Sequence, residues 1–290
     1  MIQPESRAHQ RIISALERAH ETVLAEQAGQ FADLAINGNF RRFLVARMGS
    51  TGSTWLAKLL NSHPDVSCSH EAVIGQVFPR DQISAEDVHR FVRHFAWDTK
   101  HMAYRAVGDV GSAWSTHLAY LPFTTALLLR HPARTLHTRL HLYPDSRSYF
   151  PEISEATKSC IRELWGIRMD GYDSLDRVFL YDAFTFASQI WAAGKVDLMI
   201  RIEDMLDEDY SGRILTALTG LTYEPAIVAH AIHNPVNHRT GSVKTVGEIL
   251  SGFTSRQREW YSMIVADVAE AFGYDHLSDV LSPAEAAAAA

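Results

Sequence analysis

At 290 residues, 47% hydrophobic and 21% charged, the chain has an ordinary globular composition and can bury a sizeable core, which argues against a chain disordered throughout. Its 27 Lys and Arg against 34 Asp and Glu give a formal charge of −7, so no global field draws it to nucleic acid or an anionic membrane, and any phosphate site is local. Two cysteines, Cys68 and Cys160, exclude a disulfide framework, show no CxxC metal spacing and fit a reducing, cytoplasmic compartment.

Residues 6–28 place Ile12, Ile13, Leu16, Ala19, Val23 and Leu24 near helical spacing, which predicts an amphipathic opening helix within residues 1–30. This charged start lacks the basic and apolar regions of a secretion signal, and no apolar run is long enough to span a membrane. Phe43-Leu44-Val45-Ala46 reads as a buried strand, Met48-Gly49-Ser50-Thr51-Gly52-Ser53 as a turn-rich loop, and the run from Thr54 as a helix. Further strands are expected at Met102 to Val107, Thr125 to Leu129 and Leu198 to Ile202, with helices at 132–142, 154–170, 179–194 and 254–272.

Short apolar strands alternating with helices predict an α/β fold in three layers, a central parallel sheet flanked by helices, with ligands at the carboxyl ends of the strands. Without a repeat or linker the chain reads as one domain, 1–290, and the alanine-rich stretch at 283–290 is expected to be a disordered tail. Tyr143, Tyr149, Phe150, Trp165, Phe184 and Trp191 fit either an acceptor-side helical cap over 141–195 or core packing.

The loop after the first strand carries the clearest chemistry. A Gly- and hydroxyl-rich turn leading into a helix brings backbone N–H groups close to an anion, and the helix dipole favours negative charge there. A plain strand-to-helix connection capped by Ser or Thr has the same composition. The Walker pattern GxxxxGK[ST] is absent, because Lys58 stands well inside the expected helix.

Thr51-Gly-Ser-Thr-Trp-Leu-Ala-Lys-Leu-Leu-Asn-Ser-His-Pro-Asp-Val66 resembles the 5′-phosphosulfate loop and following helix of sulfotransferases that use 3′-phosphoadenosine 5′-phosphosulfate (PAPS), above all the bacterial and tyrosylprotein branches. The resemblance implies a P-loop-type fold, with Gly49, Ser50, Thr51, Gly52, Ser53, Thr54 and Trp55 binding the cofactor. Relatives usually carry Lys or Arg two residues before the loop glycine, where this chain has Ser50; either Arg47 or another cation serves instead. Leu127-Leu-Leu-Arg130-His-Pro-Ala-Arg-Thr-Leu-His-Thr138 resembles the family's 3′-phosphate element and implies that Arg130 and Thr138 hold that phosphate, for which a guanidinium fork is suited.

Ser67-Cys68-Ser69-His70-Glu71 resembles the Cys-Gly-Glu-Glu of the tyrosylprotein branch, implying Glu71 as catalytic base, with His70 as substrate-orienting group or alternative base. Asn237-His-Arg-Thr-Gly-Ser-Val-Lys244 occupies the place of the family's cofactor-covering segment, which makes Arg239, Thr240, Gly241 and Lys244 candidate cofactor contacts. Ile200-Arg201-Ile202-Glu203-Asp204 resembles a sheet-edge element, and Gly108-Asp109 is followed by Val110 where relatives often have Lys.

The implied activity is transfer of a sulfuryl group from PAPS to a hydroxyl or amine of a small-molecule, glycan or peptide acceptor, releasing adenosine 3′,5′-bisphosphate (PAP). Positioning, cations and a base carry such chemistry, and it requires no metal. A small-molecule kinase and an inactive PAP-binding module are the alternatives.

Overall fold

Among the described residues, five short strands form the sheet: β1 Arg41–Arg47, β2 Val66–His70, β3 Ala106–Val110, β4 Thr124–Leu129 and β5 Leu198–Arg201. They lie in the order β2-β3-β1-β4-β5, and every neighbouring pair is parallel. The architecture is therefore α/β, a central five-stranded parallel sheet flanked by helices, as the alternating pattern predicts. The structure, a computed structural model, describes residues 7, 10, 11, 14, 41–71, 104–111, 123–142, 153, 155–234, 243–275 and 281.

Two compact units are distinguished. The sheet unit comprises Val23–Arg130, Lys195–Val243 and Val280–Ala290; the other comprises Met1–Thr22, His131–Gly194 and Lys244–Asp279. In the sheet unit, Phe43 and Val45 of β1 share a buried layer with Cys68, Val110, Leu128 and Ile200 of the other strands. Helices α1 (Ser53–Leu60), α5 (Glu208–Thr219) and α6 (Pro225–His233) close that layer with Leu56, Leu60, Leu215, Leu218 and Ile232. The alternate residues Leu44, Ala46, Val107 and Leu127 are equally buried, so the strands lack a wet face, as parallel strands require. Gly108 permits the closest approach in this layer: a Cβ there would lie 2.2 Å from Phe43 Cε2.

The helical unit contains α2 (Pro132–Leu142), α3 (Glu155–Trp165), α4 (Ser174–Ala193), α7 (Val246–Gly252), α8 (Ser255–Trp260) and α9 (Ala266–Ala271), with a π-helical turn, Tyr261–Val265, between the last two. Phe179 packs edge-on to Phe253, Phe186 to Phe272 and Trp165 to Phe184. Phe184 and Trp191 are buried, so the core alternative describes these two aromatics.

Several boundaries differ from those predicted, each for a local reason. α3 stops at Trp165 rather than 170, because Gly166 turns left-handed at φ 70 and its N–H bonds to Arg162 O. α4 starts earlier than 179, where Asp173 caps the N–H of Asp176. The helix expected at 254–272 runs continuously over Ser255–Ala271 with a π-helical turn at Tyr261–Val265, and α7, capped by a Thr245–Glu248 capping box, precedes it. Tyr104 and Arg105 precede β3 rather than lying in it. Of the opening helix, Arg7, Gln10, Arg11 and Ser14 are described and are helical and exposed; Tyr143, Tyr149, Phe150 and the tail at 283–290 lie outside the described residues.

Candidate functional site

After β1 the chain goes to β2 at one edge of the sheet, and after β4 it returns to the sheet as β5 at the other edge. The carboxyl ends of β1 and β4 therefore flank the divergence point, the place where open parallel sheets bind ligands. Arg47 pairs in register with Leu128, so the ends that carry Arg47 and Arg130 lie side by side.

The connection from β1 to α1 is held in an unusual backbone conformation. Ser50 has φ 67 and Gly52 φ 86, both left-handed. Gly52 is required twice over, since a Cβ there would also meet Ile202 Cγ1 at 2.9 Å. Ser50 has no such licence and costs about 1–2 kcal/mol in this region. Arg130 Nη1 fixes it by donating to Ser50 O at 2.9 Å, and Thr51 Oγ1 donates to Met48 O at 3.1 Å. Gly52 supplies no side-chain cap to α1. The first-turn N–H groups, which a helix cannot satisfy internally, thus keep the polarity that attracts anions.

The end of α1 positions β2. Asn61 Nδ2 donates to Cys68 O at 2.7 Å and its Oδ1 accepts from Cys68 N at 2.8 Å, while Tyr223 donates to Leu60 O at 2.9 Å. The Leu-Leu-Asn-Ser-His-Pro motif thereby acts as a clamp that sets where His70 and Glu71 emerge.

At that point the charged groups meet. The buried Arg47 Nη2 donates to Glu71 Oε1 in an ion pair, and Glu71 itself sits in a left-handed turn at φ 57. His70 Nε2 lies 2.9 Å from Ser53 Oγ and 3.4 Å from Thr54 Oγ1. Burial, then the Arg47 charge, lowers the pKa of His70, with Glu71 opposing, so the imidazole is neutral at pH 7. Ser69 donates to Asp109 Oδ1, and Asp109 is fully buried with its carboxyl pushed up to about 7, mainly by burial. Burial likewise pushes the Cys68 thiol up.

The structure thus brings together Arg47, Ser50, Thr51, Gly52, Ser53, Thr54, His70, Glu71 and Arg130 at one end of the sheet. Trp55 faces the core, its indole donating to Ala231 O at 3.0 Å, and Lys58 stands exposed on α1. Thr138, buried on α2, and the exposed Lys244, whose carbonyl accepts from Arg134, belong to the helical unit. Arg239, Thr240 and Gly241 lie outside the described residues. Arg201 forks onto Asp204 at 2.7 and 2.8 Å, a local brace after β5. Sequence reasoning passed over Ser69 and Asp109; the available signal was an acid inside the otherwise apolar Ala106-Val-Gly-Asp-Val110. Among the described residues, no group of three or more His, Cys, Asp or Glu is placed to hold a metal ion, and no helix is long and apolar enough to cross a membrane.

No family model and no curated protein matches the chain. Among solved structures it is similar to the crystal structure of mouse sulfotransferase SULT7A1 complexed with PAP, at 15% identity and a TM-score of 0.43, over 86% of this chain and 91% of that one.

Proposed function

We propose that the chain is a PAPS-dependent sulfotransferase that delivers a sulfuryl group to a hydroxyl or amine of a small-molecule, glycan or peptide acceptor. One observation carries this reading: an uncapped helix N-terminus behind a left-handed loop at the sheet's divergence point, flanked by Arg47 and Arg130, with Glu71 held on Arg47. The loop has the backbone polarity and flanking cations that a phosphosulfate requires, and its motif resembles the family's own. PAPS supplies an activated sulfuryl group on a phosphate leaving group.

The chain's residues divide the remaining work. The Gly49–Thr54 backbone and α1 bind the 5′ end, and Arg130 is assigned to the 3′-phosphate, for which its fork is suited. Arg47 offsets negative charge beside the reacting group, and Glu71 takes the acceptor proton. The neutral His70 orients the Ser53 and Thr54 hydroxyls. A kinase reading is disfavoured because the nearest lysine in the loop helix, Lys58, faces solvent.

Calorimetry with PAP and with ATP, followed by detection of a sulfated product from PAPS, tests the proposal. We expect PAP to bind and ATP to bind weakly, with turnover unaffected by EDTA. Preference for ATP, or loss of turnover in EDTA with rescue by Mg²⁺, selects the kinase; PAP binding without product selects the inactive module.

A further inference from the structure

Asp109 is a fully buried acid beside the site that has no role in the proposed chemistry. It lies on β3 with Ser69 of β2 and Leu44 of β1 as register partners, fully buried in the sheet. A carboxyl in such a place is costly, and an apolar residue would pack there without that cost. Its contacts are specific: Oδ1 accepts from the Ser69 hydroxyl, and the backbone N–H of Glu71 faces the same carboxyl. Its Oδ2 is buried and has no hydrogen-bond partner among the described residues.

Those contacts meet a need created two residues away. Glu71 is neither Gly nor Asn, yet its φ is 57, a conformation that persists only where its surroundings hold it. Ser69 and the Glu71 amide bracket this turn and converge on one carboxyl, while the Glu71 side chain leaves the turn toward Arg47.

We propose that Asp109 is a positioning residue which, through Ser69 and the backbone of Glu71, fixes the left-handed turn that aims the Glu71 carboxylate at Arg47. The proposal deepens the sulfotransferase reading and rests on it for the role of Glu71. The charged and titratable groups facing Asp109 are Arg47 at the end of β1 and Glu71 and Cys68 of the β2 segment; Lys58 of α1, which packs on β3, points to solvent. Burial and then the Glu71 charge hold the carboxyl's proton to about pH 7, against the Ser69 hydroxyl, Arg47 and the Glu71 amide. Once ionised, Asp109 repels Glu71 and attracts Arg47, so the pair responds to its titration.

The test uses the full chain with carbon-13-labelled side-chain carboxyls, titrated by NMR from about pH 5 to 9. In wild type the Glu71 resonance should show an inflection near 7 that belongs to Asp109. Asp109→Asn should abolish it. Ser69→Ala, which removes a contact favouring the ionised form, should move it to higher pH and still reports if the Asn variant fails to fold. Consumption of PAPS with water as acceptor gives the second readout: Asp109→Ala should slow it about tenfold or more, the scale of a lost hydrogen bond to a charged group, with PAP affinity retained and Asn recovering most of the rate. An inflection that survives Asp109→Asn, or parallel loss of turnover and PAP affinity in the Ala variant, overturns the proposal. If wild type fails to bind PAP yet the inflection follows both substitutions as described, the sulfotransferase reading falls and the positioning role stands.

Discussion

Replacing Asp109 by Asn should change how the protein's stability depends on pH, and the sign follows from burial. The folded protein holds the Asp109 proton to about pH 7, whereas the ordinary value is 3.8. Between these values the folded state binds more protons than the unfolded chain, so stability declines as pH rises through this window and levels off above it. The gap between 3.8 and about 7 corresponds to about 4 kcal/mol, fully present above the folded value and absent below the unfolded one. Asn keeps the shape and an acceptor for Ser69 but cannot ionise, so the variant lacks this decline. Urea unfolding followed by tryptophan fluorescence at several pH values, with midpoints converted through the measured slope, reads the difference. The variant should match or trail wild type near pH 4 and gain on it by about 4 kcal/mol by pH 8. Parallel pH dependences of the two proteins would refute the argument that Asp109 is an acid held neutral by burial.

Three further outcomes follow from other contacts. Arg130→Ala should weaken PAP about tenfold or more by calorimetry, since a charge-assisted contact is worth roughly 1.5–3 kcal/mol, while adenosine 5′-phosphate is nearly unaffected; equal losses would confine Arg130 to bracing Ser50. Gly108→Ala places a methyl 2.2 Å from the Phe43 ring and should lower stability by about 3 kcal/mol; an unchanged urea midpoint contradicts the packing. Glu71→Gln should slow turnover about 10² to 10⁴ with PAP affinity kept, and a rate within about threefold of wild type would transfer the base role to His70.

The parts legible in the sequence are those whose cause is local. β1, its loop and α1 announce themselves as an apolar run, a turn with two glycines and a helix with buried Trp55, Leu56, Leu59 and Leu60 on one side. β2 escaped notice because Val66-Ser-Cys-Ser-His70 is short and mostly polar, although its alternation buries Val66 and Cys68 as a strand should. α5 and α7 lie outside the predicted helices although both carry start signals, Asp207 and the Thr245–Glu248 box; α7 is only seven residues long. Within the site, the residue types were readable but their pairing was not. Arg47 and Glu71 stand on different strands, and what joins them is the grip of Asn61 on Cys68. Asp109 was invisible as a site residue because a strand acid is ordinary at an edge and becomes exceptional only once β2 and β1 enclose it.

Ser50, where the family resemblance leads one to expect a basic residue, is braced by an arginine from another strand end. A basic side chain at residue 50 would deliver one cation to the turn. Here Ser50 adopts φ 67, which turns its carbonyl to a guanidinium arriving from the end of β4, so Arg130 reaches the loop through the backbone of the residue that lacks the charge. Arg47, held at the end of β1 by Met48 O and Glu71, supplies a second cation from the strand itself. Both come from the sheet, whose register is fixed by buried apolar residues, rather than from a side chain in the loop. On the proposed reading, this arrangement couples the cation directly to the base. A free loop lysine would leave Glu71 indifferent to the cation, whereas Arg47 holds the carboxylate directly. If Glu71 is the base, as proposed, taking up the acceptor proton weakens its ion pair with Arg47, and substitutions of the two residues should be strongly non-additive.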